Sequence, residues 1–137
     1  MITLSLLKYL EDEGFGVLAV KGNEKGASLF WEKLTLDKVG VYITTTGNIV
    51  ERGARPSVSF TLYSRGANDA DGYQKLNDIV KHLSSLNTYG KVCSLPEVEG
   101  FTDGFDNITI MPMDTITSVG QDENGRMIYS SNGTIYF

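Results

Sequence analysis

The first residues of the chain follow a helical rhythm. Ile2, Leu6 and Leu10 recur four apart with Leu7 and Tyr9 beside them, while Lys8, Glu11 and Asp12 take the other side. That spacing stacks the apolar side chains on one face, and Gly14 supplies a stop, so the pattern predicts a short amphipathic helix. Val17 to Val20 reads as a short strand, Lys21 to Gly26 as a polar loop, and Leu29-Phe30-Trp31 as the start of another extended piece. Further on, Val39, Val41 and Ile43 alternate with Gly40, Tyr42 and Thr44. Val58, Phe60 and Leu62 alternate with Ser59, Thr61 and Tyr63. A period of two marks strands with one buried face. Gly47-Asn48 and the run from Arg52 to Pro56 lie between them and predict a long hairpin connection reaching away from the sheet.

From Asp71 the period becomes helical again. Tyr73, Leu76, Ile79, Val80, Leu83 and Leu86 share a face opposite Gln74, Lys75, Asn77, Asp78 and Lys81, and Gly90 follows the expected end. The last third is strand-like: Asn107 to Met111 stops at Pro112, and Thr115 to Gly120 and Arg126 to Ser130 flank Asp122-Glu123-Asn124-Gly125. Thr134 to Phe137 follows Asn132-Gly133, a pair that accepts positive φ and so predicts one more hairpin turn. The expected fold is α+β: a mostly antiparallel sheet with an N-terminal helix and one longer central helix packed on it. No repeat or linker divides residues 1–137, so one domain is expected.

Composition narrows the chemistry. The one cysteine, Cys93, excludes a disulfide within the chain and any Cys-based zinc site; the one histidine, His82, excludes a His-rich metal site. The N-terminus has no basic start, so no signal peptide is expected, and no apolar run reaches the length of a membrane helix. Net charge is −5, a poor basis for gripping nucleic-acid phosphates. The charge is unevenly placed. From Val92 onward there are seven acids (Glu97, Glu99, Asp103, Asp106, Asp114, Asp122 and Glu123) against Arg126 alone, whereas Arg52, Arg55 and Arg65 lie within fourteen residues. This asymmetry fits one subunit docking on another, and equally a plain solvated surface.

Asp69-Ala70-Asp71-Gly72 invites a metal reading, which fails on ligands. With Asp69 as position one of a calcium loop, position five is Tyr73 and position twelve is Val80. An aspartate ahead of a helical period suits a helix start, where it accepts bonds from free backbone N–H groups. Gly14-Phe15-Gly16-Val17-Leu18-Ala19 spells a dinucleotide motif but follows a helix and opens a strand, the reverse of the order required. Neither His82 nor Cys93 has a catalytic partner that the sequence can identify, and a small enzyme built on either stands as a minor alternative. No catalytic, metal or cofactor-binding residues are expected. Trp31, Arg52, Arg55 and Arg65 are the candidate residues for a subunit or partner interface, since Trp and Arg are favoured at binding hot spots.

A wider resemblance runs through the chain. It is carried by Met1 to Leu10, Leu29-Phe30-Trp31-Glu32-Lys33-Leu34, Asp37 to Ile43, Leu62-Tyr63-Ser64-Arg65-Gly66 with Asp71-Gly72-Tyr73, and Asn107 to Met113. In this order and spacing they are similar to the minor capsid or tail terminator proteins of long-tailed bacteriophages of Gram-positive hosts. The resemblance implies a structural virion protein at the head-tail junction, made in the bacterial cytoplasm, with no catalytic residues and no cofactor. It implies a small α+β fold, a sheet with an N-terminal helix and a second helix packed on it, and a homo-oligomeric ring, typically of six subunits, on the head-proximal end of the tail tube. Its partners would be the tail tube protein and the head connector, with genome DNA passing through the lumen without sequence-specific binding and no membrane involved. A head-completion or connector protein is the alternative of the same class, and a soluble adaptor one of another class.

Overall fold

The computed structural model describes residues 2–20, 22–32, 38–49, 55–85 and 93–137. Two helices, α1 (Ile2–Asp12) and α2 (Asp69–Ser85), accompany seven strands: β1 (Leu29–Trp31), β2 (Gly40–Ile49), β3 (Ser57–Arg65), β4 (Cys93–Leu95), β5 (Phe105–Ile110), β6 (Thr117–Gln121) and β7 (Met127–Tyr136). The strand order is β1-β2-β3-β7-β5-β4, and β6 also lies against β7. Among these strands β1–β2 is parallel and the other pairs are antiparallel. The fold is α+β, as expected from the element order and the resemblance.

β7 organises the sheet. One edge pairs with β3 from Ser57↔Tyr136 to Ser64↔Tyr129. The other is shared, β6 taking its first half and β5 its last residues. Register decides which side chains meet: Val58 lies opposite Ile135, Phe60 opposite Gly133, and Ile43 opposite Leu62. Strand side chains alternate, so these residues face one side and Tyr42, Thr44, Ser59, Thr61, Tyr63, Asn132 and Thr134 the other. α2 packs on β3 and β7, and α1 on β1, β2 and β4. Tyr9 Oη lies 2.8 Å from His82 Nε2 and joins the two helices. Leu6, Leu7 and Leu10 of α1, Leu76, Ile79 and Leu83 of α2, and Ile43, Phe60, Leu62, Ile108 and Ile135 of the sheet are all buried in one apolar cluster. The opposite sheet face carries hydroxyl, amide and phenol groups.

Several local expectations hold. α1 ends at Gly14 (φ 88°), with Phe15 N–H bonded to Leu10 O at 2.9 Å and Gly14 N–H to Glu11 O at 3.0 Å. This is a left-handed stop in which two orphan carbonyls are satisfied. The Asp122–Gly125 turn is closed by Asp122 N–H to Arg126 O at 2.8 Å.

Others fail for long-range reasons. Asn132-Gly133 is no turn but the middle of β7. Thr61 Oγ1 donates to Asn132 Oδ1 at 2.7 Å, and a Cβ at Gly133 would stand 2.5 Å from Phe60 Cζ. The glycine is there so that an aromatic ring can cross the strand. Gly47-Asn48 likewise belongs to the ladder, with Asn48 opposite Val58 after an irregularity between Thr45 and Gly47. The proposed hairpin excursion thus shrinks to the segment beyond Ile49, and residues 50–54 lie outside the described residues. Val17 to Val20 contributes only one bridge, Leu18 to Leu29, because Leu18 alone of its valine and leucine side chains is buried. The Gly90 stop also lies outside the described residues.

Candidate functional site

The stretch from Arg65 to Gly72 starts α2, and its residues divide the work differently from the sequence expectation. The cap is Asn68: its Oδ1 accepts Asp71 N–H at 2.9 Å, and its Nδ2 donates to Asp71 Oδ2 at 2.8 Å. Asp69 instead reaches across to β7, where its Oδ1 accepts Met127 N–H at 3.0 Å. Gly66 and Gly72 let two backbones touch, since a Cβ on Gly66 would lie 2.3 Å from Gly72 N. Asp69 and Asp71 are therefore engaged in structure. Among the described residues, no group of three or more His, Cys, Asp and Glu side chains is placed to hold a metal ion.

The four interface candidates fall in different settings. Arg65 points inward. Its guanidinium bonds Lys38 O through Nε at 3.1 Å and Nη2 at 2.6 Å, and Nη1 meets Asp122 Oδ2 at 3.2 Å. The Arg65 and Asp122 side chains are only 4% and 5% exposed. Asp122 also accepts N–H bonds from Asn124 and Arg126, and Arg126 Nε at 2.9 Å. Burial pushes the Asp122 carboxyl upward, but the backbone and side-chain donors of Arg126, with Asn124 N–H and the Arg126 charge, outweigh it and hold the carboxyl below the usual carboxylate range. So part of the charge asymmetry between the arginine cluster and the acidic third is resolved within one chain.

Arg55 is exposed but engaged. It donates to Thr109 Oγ1 at 3.1 Å, to Tyr136 O at 3.3 Å and to Asn107 O, fastening the entry to β3 onto the ends of β5 and β7. Trp31 is partly exposed and turns its indole N–H to Thr3 Oγ1 at 2.9 Å. Arg52 lies outside the described residues. The structure brings no two of Trp31, Arg55 and Arg65 into one patch.

His82 is enclosed by aromatics. It stacks on Tyr9 and lies 5.2 Å from the Phe15 ring centroid, with Lys75 Nζ 5.8 Å above Phe15. Burial lowers the Lys75 ammonium, and the Asp78 charge opposes that. The arrangement joins two helices through a hydrogen bond and ring contacts. Cys93 opens β4, and its side chain lies outside the described residues.

Two surface features were not read from the sequence. The first is the bare sheet face, where Tyr42 and Tyr63 stack with centroids 4.6 Å apart and an open groove of about 270 Å³ runs between Thr46, Ser59, Asn132, Thr134, Pro112 and Asp114. Alternation signals that such a face exists, but only register shows which side chains share it. The second is the β4–β5 connection. Val98 and Thr102 close it through paired backbone bonds of 2.9 and 3.0 Å, and Phe101 is 61% exposed at its tip among exposed Glu97, Glu99 and Asp103. The acidic run holds both Phe101 and Phe105, and nothing in it singles out Phe101.

No family model matches the chain, and no curated protein matches it.

Proposed function

We propose that this chain is a structural virion protein, a tail terminator that forms a ring at the head-proximal end of a phage tail tube, stops tube growth and joins the tail to the head. The supporting observation is the agreement between the element order, helix, strands, helix, strands with both helices on one sheet face, and the arrangement implied by the sequence resemblance. The engaged states of Asp69, Asp71 and His82 favour an architectural role over a chemical one.

The surface suits such a ring. A closed ring needs two different, complementary patches on each subunit. The bare face is tiled with Ser, Thr, Asn and Tyr, and its margin cation, Arg65, is neutralised by Asp122. A wall whose described residues present hydroxyl, amide and phenol groups releases few counterions from passing DNA and so holds it weakly. In this reading DNA slides past the ring.

The test is assembly in vitro. Tail tube protein polymerised with and without this chain is measured by negative-stain electron microscopy. Addition of the chain before polymerisation ends is expected to arrest tubes with a ring at one end. Unchanged length distributions and bare tube ends would remove the terminator reading.

A further inference from the structure

We infer that the β4–β5 hairpin tip is a docking knob for a second copy of this chain, and that it seats at the corner formed by residues 17–20, residues 25–28 and the start of β2. This rests on the ring reading and names the two patches it requires.

The knob is built for display. Its turn is closed on both sides by the Val98 and Thr102 backbones, and Phe101 N–H adds a third bond to Val98 O at 2.9 Å. Val98 and Leu95 are buried and root it. Gly104 passes so close to β4 that a Cβ would stand 2.9 Å from Leu95 O. Phe101 nonetheless points outward as the most exposed large apolar side chain among the described residues, ringed by Glu97, Glu99 and Asp103. A fixed, solvated phenylalanine inside a carboxylate rim calls for an apolar seat bordered by cations.

The same chain offers such a seat at the other end of the strand order. Val17, Val20 and Val39 are 45%, 41% and 42% exposed. Backbone bonds set the Val17 segment and the entry to β2 on either side of Ser28: Ser28 N–H donates to Val17 O at 2.9 Å, and Val41 N–H to Ser28 O at 2.8 Å. Lys38 Nζ donates to Lys25 O at 3.5 Å, which puts the Lys38 ammonium at this corner beside the exposed residue Lys25. The knob follows β4 and the seat adjoins β1, the two ends of the order β1-β2-β3-β7-β5-β4. A knob and seat that differ make a head-to-tail contact, which closes into a ring when its rotation permits. Opposite charge at the rim sets register and makes association salt-dependent.

The experiment mixes two variants that each add one cysteine and keep Phe101, Thr102→Cys and Val39→Cys, alone and on assembled tail tubes, under mild oxidation. The unsubstituted protein reports the background from Cys93, and Thr102→Cys with Val119→Cys is the control pair. Mixed disulfide dimers well above the control are expected. Phe101→Ser should weaken self-association in sedimentation about tenfold or more. Self-association or tube capping without mixed dimers would overturn the docking surface while leaving the ring reading in place. Failure of the protein to associate with itself or with tubes would overturn both.

Discussion

Arg65 and Asp122, 57 residues apart in sequence, meet at 3.2 Å with both side chains almost fully enclosed. The contact ties the end of β3 to the β6–β7 turn, and the Arg65 bonds to Lys38 O draw in the entry to β2. The Arg126 and Asn124 donors that hold the Asp122 carboxyl low predict a specific response to acid. The Asp122 carboxyl titrates lower in the folded chain than in the unfolded one. Its contribution is therefore fully present above the unfolded carboxylate pKa and is lost as pH falls through the lower folded value. Asp122→Asn is expected to destabilise the protein at neutral pH and to match it in strong acid. Denaturant midpoints at several pH values measure this; a deficit independent of pH would contradict it.

Gly133 predicts a steric effect. Any Cβ there must displace the fully buried Phe60 ring, so Gly133→Ala should cost about 1–3 kcal/mol as overpacking. Phe60→Leu should recover part of that loss in the double variant. A double-mutant cycle by urea unfolding reads the coupling, and strict additivity would show that the ring and the glycine do not constrain each other.

Asn68, rather than either neighbouring aspartate, caps α2. Asn68→Ala should cost about 1 kcal/mol, while Asn68→Ser or Asn68→Asp should retain most of the stability. Equal losses in all three variants would point away from capping. Thermal unfolding followed by circular dichroism is sufficient.

Ser5 supplies the opposite case. Its Oγ is buried on α1 without a hydrogen-bond partner. Ser5→Ala removes that unsatisfied group and improves helix propensity, so stability should stay level or rise by up to about 1 kcal/mol. A fall in the melting temperature would mean that the hydroxyl is doing something the geometry does not show.

The sequence was most readable where structure is local. The α2 face of Leu76, Ile79 and Leu83 and the Gly14 stop follow from spacing alone, as do the alternating centres of β2 and β3. It misled where a distant partner reassigns a local signal. Asn132-Gly133 carries turn chemistry, yet Thr61 and Phe60 hold it in a strand. Asp69 has a cap's position, yet its carboxylate bonds Met127, 58 residues away. Arg65 has the composition of a hot spot, yet Asp122 takes its guanidinium inside the same chain. The Phe101 knob was unreadable because exposure of an apolar residue depends on how a turn is rooted.

Electron microscopy of phage particles assembled without this protein tests the proposed terminator role most directly. Tails of abnormal and variable length lying beside tailless heads are expected. Tails of normal length that fail to join heads would contradict the terminator role and place the protein on the head side of the junction. Normal, infectious particles would contradict a virion role altogether.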